Sequence, residues 1–408
     1  MPKLLIIGFV WPEPKSSAAG SRMMQLIHLF LSEGYQIIFA SACAKSEKAF
    51  NLHSLGVTQT EIELNNSSFD DFIVDLKPDI VLFDRFMMEE QFGWRVAEHC
   101  PNALRILDTE DLHCLRKARE QAFKDNQPCD KTYLFRDIAK REIASIYRSD
   151  LSLMISEAEM AILKDEFGVT ETLLHYMPFL IEDLNDETIE QLPSYKERQH
   201  FVTIGNFLHP PNLDAVKFLK ESIWPSIRAK LKDAELHVYG AYVSDKVKQY
   251  EDAKNGLYIK GFAKSVHEVM ANARVCLSPL RFGAGLKGKF FDAMQNGTPF
   301  ITTAIGVEGI VDTNAYNFVN DEVDAIVSHA ITLYQKELVW KEQQELGFSI
   351  LSKRFHKTTH TRKFLNTLEQ SLTNKDANRL QNFTGAMLNH HAMQSTKYMS
   401  RWIEEKNK

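Results

Sequence analysis

An α/β chain of two Rossmann-like, doubly wound domains facing across a cleft is the fold class that three observations predict. The 408 residues exceed what a single hydrophobic core usually organises. Short apolar runs rich in β-branched residues alternate with segments of helical period, and the alternation restarts midway. Where it restarts, residues 182–198 ("EDLNDETIEQLPSYKER") are polar and acidic, carry Pro193 and show no apolar period. The expected division is therefore a first domain over 1–181, a linker and hinge over 182–198, a second domain over 199–355, and C-terminal helices over 356–408 packing back on the first domain.

In the first half, "KLLIIGF", "YQIIFASA", "DIVLFD", "LRILDTED" and "LSLMIS" read as strands. Each is apolar on both faces, the pattern of a parallel sheet covered on two sides. Between them, "AGSRMMQLIHLFLSEG" and "EEQFGWRVAEHC" have helical spacing, and "KTYLFRDIAKREIASIYRSD" reads as one long charged helix. A further helix follows Ser156. In the second half the strands are "FVTIGN", "ELHVYG", "GLYIKGF", "VCLSPL" and "PFITT", with helices from Asn212, over "KSVHEVMANA", and from about Val323 onward. The tail places Met387, Met393, Met399 and Trp402 at roughly helical spacing, which predicts a helix packed on the body and leaves a peripheral membrane or partner contact as the second reading.

Composition narrows the function. A formal net charge of −6 argues against non-specific nucleic-acid binding, so any anion site must be local. Five cysteines, scattered and odd in number, form no zinc spacing, and a reducing cytoplasmic compartment is expected. The apolar N-terminal run ends in Trp11 and prolines and reads as a first strand rather than a leader. No stretch reaches the roughly 20 apolar residues that span a bilayer.

The chemistry concentrates in "RFGAGLKGKFFDAMQNGTP", residues 281–299. It follows the strand "VCLSPL", and in an open α/β sheet ligands bind where strand exits run into helix N-termini. Glycines this dense imply a close approach to the backbone or positive φ. Their N–H groups, the helix dipole and the charges of Lys287 and Lys289 suit a phosphate. The residues alone leave open a plain tight connection. Asp292 is placed to accept from ribose hydroxyls, or only to sit near a helix start. Glu308, in "GTPFITTAIGVEGI", could meet a sugar or ribose hydroxyl or be an exposed loop acid.

The residues "IGNFLHPPNLDAVKFL" (204–219), "LHVYG" (236–240) and "KGFAKSVHEVMANARVCLSPLRFGAGLKGKFFDAMQNGTPFITTAIGVEGI" (260–310) resemble the C-terminal domain of nucleotide-sugar-dependent glycosyltransferases of the GT-B fold, the retaining family 4 or glycosyl transferases group 1. The resemblance implies that Gly205, Asn206, Gly240, Gly283, Gly285, Leu286, Lys287, Lys289, Asp292 and Glu308 line the donor side, with Lys287 also stabilising the leaving group. Two departures stand out. Many members carry a Glu eight positions before the acid at Asp292, where this chain has Ala284. Asn206 stands where many have an arginine, a charge that Lys287 would then supply.

In the first half, "WPEPKSSAAGSR" matches the loop that faces the cleft in such enzymes, with Ala19 and Gly20 in place of paired glycines. Gly20 and Ser21 would start the helix and Arg22 would point toward an anionic group. "LRILDTEDLHCLRKAR" gathers Asp108, Glu110, Asp111, His113 and Arg116 at a strand exit, a density that suggests a cleft wall. Ser156 and Glu157 read as a helix cap.

The implied activity is hexosyl transfer from a nucleoside-diphosphate sugar to a hydroxyl of a glycan, lipid-linked glycan or small molecule. Retention, no metal and no cofactor beyond the sugar nucleotide are expected. An inverting enzyme would need a base, for which Glu110, Asp111 and His113 are the candidates. The alternatives are a nucleotide-sugar epimerase on the same fold and a non-catalytic scaffold. Polysaccharide biosynthesis in the cytoplasm, at the inner face of the membrane, fits these expectations, and no nucleic-acid partner is expected.

Overall fold

The computed structural model of the chain describes residues 1–313 and 315–407. Among them, seven strands form a parallel sheet: β1 (Lys3–Gly8), β2 (Gln36–Ser41), β3 (Thr58–Glu61), β4 (Ile80–Asp84), β5 (Leu104–Asp108), β6 (Leu151–Met154) and β7 (Leu174–Tyr176), in the order β3-β2-β1-β4-β5-β6-β7. A second parallel sheet holds β8 (Gln199–Ile204), β9 (Leu236–Tyr239), β10 (Leu257–Gly261), β11 (Ala273–Leu277) and β12 (Phe300–Ile301), in the order β10-β9-β8-β11-β12.

The double-faced burial of these strands follows from their sequence. In β1, Leu4 and Ile6 join one core cluster while Leu5 and Ile7 join another on the opposite face, and β4 divides Ile80 and Leu82 from Val81 and Phe83 in the same way. Side chains alternate across a strand, so a continuous apolar run is what helices on both faces require. Leu4 pairs with Ile37 on one side and Ile80 on the other, so β1 is central. The sheet order reverses between β1 and β4, and again between β8 and β11. These are the two switch points where ligands collect in doubly wound folds.

Two elements depart from the sequence reading. The single helix expected over 131–150 is two: Lys131–Leu134, capped by Asp130, and Asp137–Arg148, with Arg136 extended between them. The amphipathic period runs through the break, but the first helix ends with Phe135 as its C-cap and the extended Arg136 divides the backbone. Strand β3 ("TQTE") carries no apolar pattern, because an edge strand needs only one well-packed neighbour. The acidic stretch after the first sheet contains a short helix, Asp186–Glu190, with no buried residue.

After the second sheet the chain returns to the first. The Ile181 N–H donates to Phe355 O and the Lys357 N–H to Ile181 O. The helix Lys357–Thr373 then inserts Phe364 against Phe30 of the first core. Arg379 grips Asp150 at 2.7 Å, and the helix Phe383–Asn407 packs along Asp137–Arg148 and Phe86–His99. Met387, Met399 and Trp402 remain exposed on it; the side chain of Met393 lies outside the described residues. No helix among the described residues is long and apolar enough to cross a membrane.

Candidate active site

Strand β11 ends at Leu277, and the helix Gly288–Gln295 begins after the glycine-rich loop. Gly283 and Gly285 have φ of 151° and 65°, values that disfavour side chains. The closest visitors to this backbone belong to the first domain. A Cβ at Gly285 would lie 2.8 Å from Asp111 Cβ, one at Gly288 2.8 Å from Ala18 Cβ, and one at Gly309 2.5 Å from Ser156 Oγ. The Gly285 N–H donates to Glu159 Oε1 at 2.8 Å. Part of the glycine content therefore serves contact between the domains.

At this loop Lys287 is buried and Lys289 half-buried, and among the described residues neither makes an ion pair. Lys287 Nζ donates to the Gly285 carbonyl and Lys289 Nζ to Asn212 Oδ1, both at 2.8 Å. Burial lowers each pKa to about 8, against the pull of Glu308 on Lys287 and of Cys276 and Asp292 on Lys289. Asp292, one turn into the helix, is pushed up to about 7 by burial, with Lys289 opposing. Leu286 turns its side chain into the second core. Gly205 and Gly240 lie at the exits of β8 and β9. A Cβ at Gly205 would strike the Asn212 side chain and one at Gly240 the Gly205 carbonyl, so their small size serves local packing. Asn206 Oδ1 accepts from the Leu208 N–H and is committed to its own turn.

Across the cleft, Asp111 lies 2.9 Å from Arg116 Nε and 3.3 Å from His113 Nε2. Burial raises its pKa, but Arg116, His113 and Arg85 outweigh that and hold the carboxylate below its usual range. Burial brings His113 down to about 4 despite Asp111, so the imidazole is neutral at pH 7. Glu110 (φ 61°) is driven well above the carboxylate range by burial and then by the nearby Asp108 and Asp84. His209, exposed in the loop after β8, lies within electrostatic reach of Arg116 and Asp111 and so faces this wall from the other domain.

The N-terminal loop corrects three expectations. The helix starts at Ala18, capped by Ser17 Oγ accepting from the Gly20 N–H, so Gly20 and Ser21 do not begin it. Gly20 is small because the Glu13 backbone lies against it, and the Ser21 hydroxyl donates to Pro14 O. Arg22 faces no open cleft. It is buried, paired with Asp108 at 2.8 Å and donating to Met177 O, so its anion is supplied from within the first domain.

Sequence reading missed several residues of this site. Arg119, on the helix His113–Lys124, holds both carboxylate oxygens of Glu308 at 2.7 Å and donates to Gly283 O. Glu308 is thus engaged across the domains and does not point freely toward a sugar. Glu159 joins Leu112 N and Gly285 N through one oxygen. Tyr242 OH donates to Glu13, and Arg354 pairs with Glu157 at 2.8 Å. None of these pairs is close in sequence, so no local spacing could announce them. Among the described residues, no group of three or more His, Cys, Asp or Glu is arranged to hold a metal ion.

Comparison with known proteins places this architecture. Residues 198–336 match the family model described as glycosyl transferases group 1. No curated protein matches the chain by sequence. Among solved structures, TarM superposes with a TM-score of 0.69 at 11% identity, over 90% of this chain and 98% of TarM. Sucrose-phosphate synthase from Thermosynechococcus elongatus gives 0.67 at 13%, over 91% and 100%. Anabaena HepE in complex with UDP and glucose gives 0.66 at 12%, over 91% and 100%. Two parallel sheets, a glycine-rich exit bearing two lysines and these matches agree: the chain has the GT-B fold, and its residues 198–336 are similar to the glycosyl transferases group 1 family model.

Proposed function

We propose that the chain is a glycosyltransferase moving a hexosyl group from a nucleoside-diphosphate sugar to a hydroxyl acceptor, with retention and without a metal. One observation carries the reading. Lys287, buried, and Lys289, half-buried, lie at the switch point of the second sheet, beside a helix N-terminus, and among the described residues their ammonium groups hydrogen-bond only to neutral oxygens. Buried cations normally find an anion. A donor diphosphate supplies one, and the dipole of the helix Gly288–Gln295 adds to its binding. That HepE was solved with UDP and glucose supports the donor class.

The leaving group is a nucleoside diphosphate and the transition state resembles an oxocarbenium ion, so placement and anion stabilisation do most of the work. Lys287 and Lys289 take up charge as it moves onto the diphosphate. Asp292 accepts from ribose hydroxyls. In the retaining reading no protein base is needed, because the departing phosphate takes the acceptor proton on the same face. Neutral His113 and low-pKa Asp111 would serve an inverting reaction instead. The contacts between the domains exclude water and limit donor hydrolysis, with residues 182–198 as hinge. The acceptor is a glycan, a lipid-linked glycan or a small molecule, consistent with polysaccharide biosynthesis in the cytoplasm or at the inner membrane face.

The test is the thermal midpoint of the purified chain against UDP, GDP, ADP, CMP and dTDP. Binding at a hundred times Kd stabilises by about 2.7 kcal/mol. One nucleoside diphosphate should raise the midpoint clearly, and Lys287→Ala should remove the shift and lower turnover together. No shift with any nucleotide, in a chain that unfolds cooperatively, overturns the donor site. Conversion of the sugar nucleotide into an isomer without acceptor would move the protein to the epimerase class.

A further inference from the structure

The switch point of the first sheet is flanked by the exits of β1 and β4, Phe9 and Arg85. Arg85 has φ 70° and ψ 156°, a region essentially reserved for glycine. Non-glycine residues held there cluster at ligand sites, where the surrounding structure enforces the conformation. Two hydrogen bonds do so here: the Arg85 N–H donates to Asp108 O at 2.8 Å, and the Phe9 N–H to Asp84 Oδ2 at 3.0 Å. The exits of β1, β4 and β5 are thereby locked together.

The Arg85 guanidinium itself is under-used. It makes one loose ion pair, Nε to Asp84 Oδ1 at 3.5 Å, and lies 4.9 Å from the centre of the Phe9 ring. No hydrogen bond to a described residue satisfies it, whereas Arg22, Arg119 and Arg148 at comparable depth are each paired bidentately. Phe9 is 38% exposed although it ends a fully buried strand. Asp84 Oδ1 is buried with no hydrogen-bond partner. Glu110, on the next exit, makes no side-chain hydrogen bond to a described residue and lies within electrostatic reach of Arg85.

We propose that Phe9 and Arg85, with Glu110 beside them, form the acceptor subsite, and that its ligand is an uncharged sugar ring. The inference rests on the glycosyltransferase reading and names the acceptor side of it. An exposed aromatic face takes the C–H face of a pyranose, and a guanidinium beside carboxyl groups reads neighbouring hydroxyls, donating to one oxygen while a carboxyl accepts from the next. An anionic acceptor fits less well, because Asp84, Asp108, Glu110 and Asp111 already surround Arg85. Arg85 is a specificity-determining residue in this account, and Asp84 positions it.

The test is saturation-transfer NMR of the full chain with methyl glycosides of glucose, galactose, mannose and N-acetylglucosamine, beside the corresponding sugar 1-phosphates. At least one uncharged glycoside should bind. Arg85→Gly suits the backbone conformation, so the chain should fold, and Phe9→Ala alters only a half-exposed ring. Each should weaken glycoside binding at least about tenfold, roughly 1.4 kcal/mol, while leaving the nucleotide-induced thermal shift unchanged. A wild type that binds nucleotide but no glycoside, or only the phosphorylated sugars, overturns the subsite and leaves the donor reading standing. Variants that bind glycosides like the wild type overturn it as well. Loss of the nucleotide shift in the wild type would instead remove the glycosyltransferase reading.

Discussion

Glu159 shows how a single carboxyl can join two domains. It lies fully buried on the helix Glu157–Asp165, accepts from Leu112 N and Gly285 N, and leaves Oε2 without a partner. Burial, then the charge of Asp111, raise its pKa to about 8, and the two backbone donors offset only part of this. An acid whose folded pKa lies above its unfolded value of about 4.3 holds its proton more tightly in the native state. Its stabilising contribution is complete below the unfolded pKa and is lost as pH rises through about 8. Glu159→Gln removes that titration. The midpoint of the variant relative to wild type should therefore climb between pH 5 and pH 9, by the equivalent of about 4 kcal/mol. Parallel midpoint-versus-pH curves for the two proteins would show that Glu159 does not titrate in this window. In sequence, Glu159 sits in "MISEAE", where Ser156 and Glu157 read as a cap, and nothing local marks the second acid.

At the scale of elements, strands buried on both faces were legible, whereas the edge strands β3 and β7 were not. The runs of β1, β4 and β5 announce burial on both faces, because alternation leaves no polar side to hide. The glycine-rich exit after β11 was also legible as a special loop, but its partner was not. Gly285 has φ 65° and no room beside Asp111. Gly285→Ala should cost about 1–2 kcal/mol from the left-handed backbone alone, with displacement of Asp111 added. Urea denaturation should show a lower midpoint with an unchanged slope. An unaltered midpoint would mean that the loop relaxes away from the first domain at no cost. The helix expected over 131–150 broke for the opposite reason: its period was right, but period does not reveal that an extended residue, Arg136, ends one short helix before the next begins.

For the whole molecule, long-range polar pairs join the domains, Arg119 with Glu308, Tyr242 with Glu13, Arg354 with Glu157, and Glu159 with the Gly285 N–H, beside aromatic contacts of Phe179 with Phe291 and Phe123 with Phe282. Arg119→Ala removes a bidentate pair and the bond to Gly283 O. It should increase the share of donor hydrolysed rather than transferred several-fold, and enlarge the radius of gyration in solution scattering. An unchanged ratio of hydrolysis to transfer would show that this pair does not hold the cleft shut.

The sequence by itself determined what depends on local chemistry: two parallel α/β sheets, the acidic stretch between them, and a lysine-bearing glycine loop at a strand exit. Side-chain period and the backbone demands of glycine act over a few residues, and can be read within that distance. Only the tertiary structure decided which side chains remain for a ligand. It gave Arg22 to Asp108 and Glu308 to Arg119, left Lys287 and Lys289 bonded to neutral oxygens, and placed Arg85 in a glycine conformation beside Phe9. A buried charge takes whichever partner folding brings within reach, and these partners lie tens to hundreds of residues away along the chain.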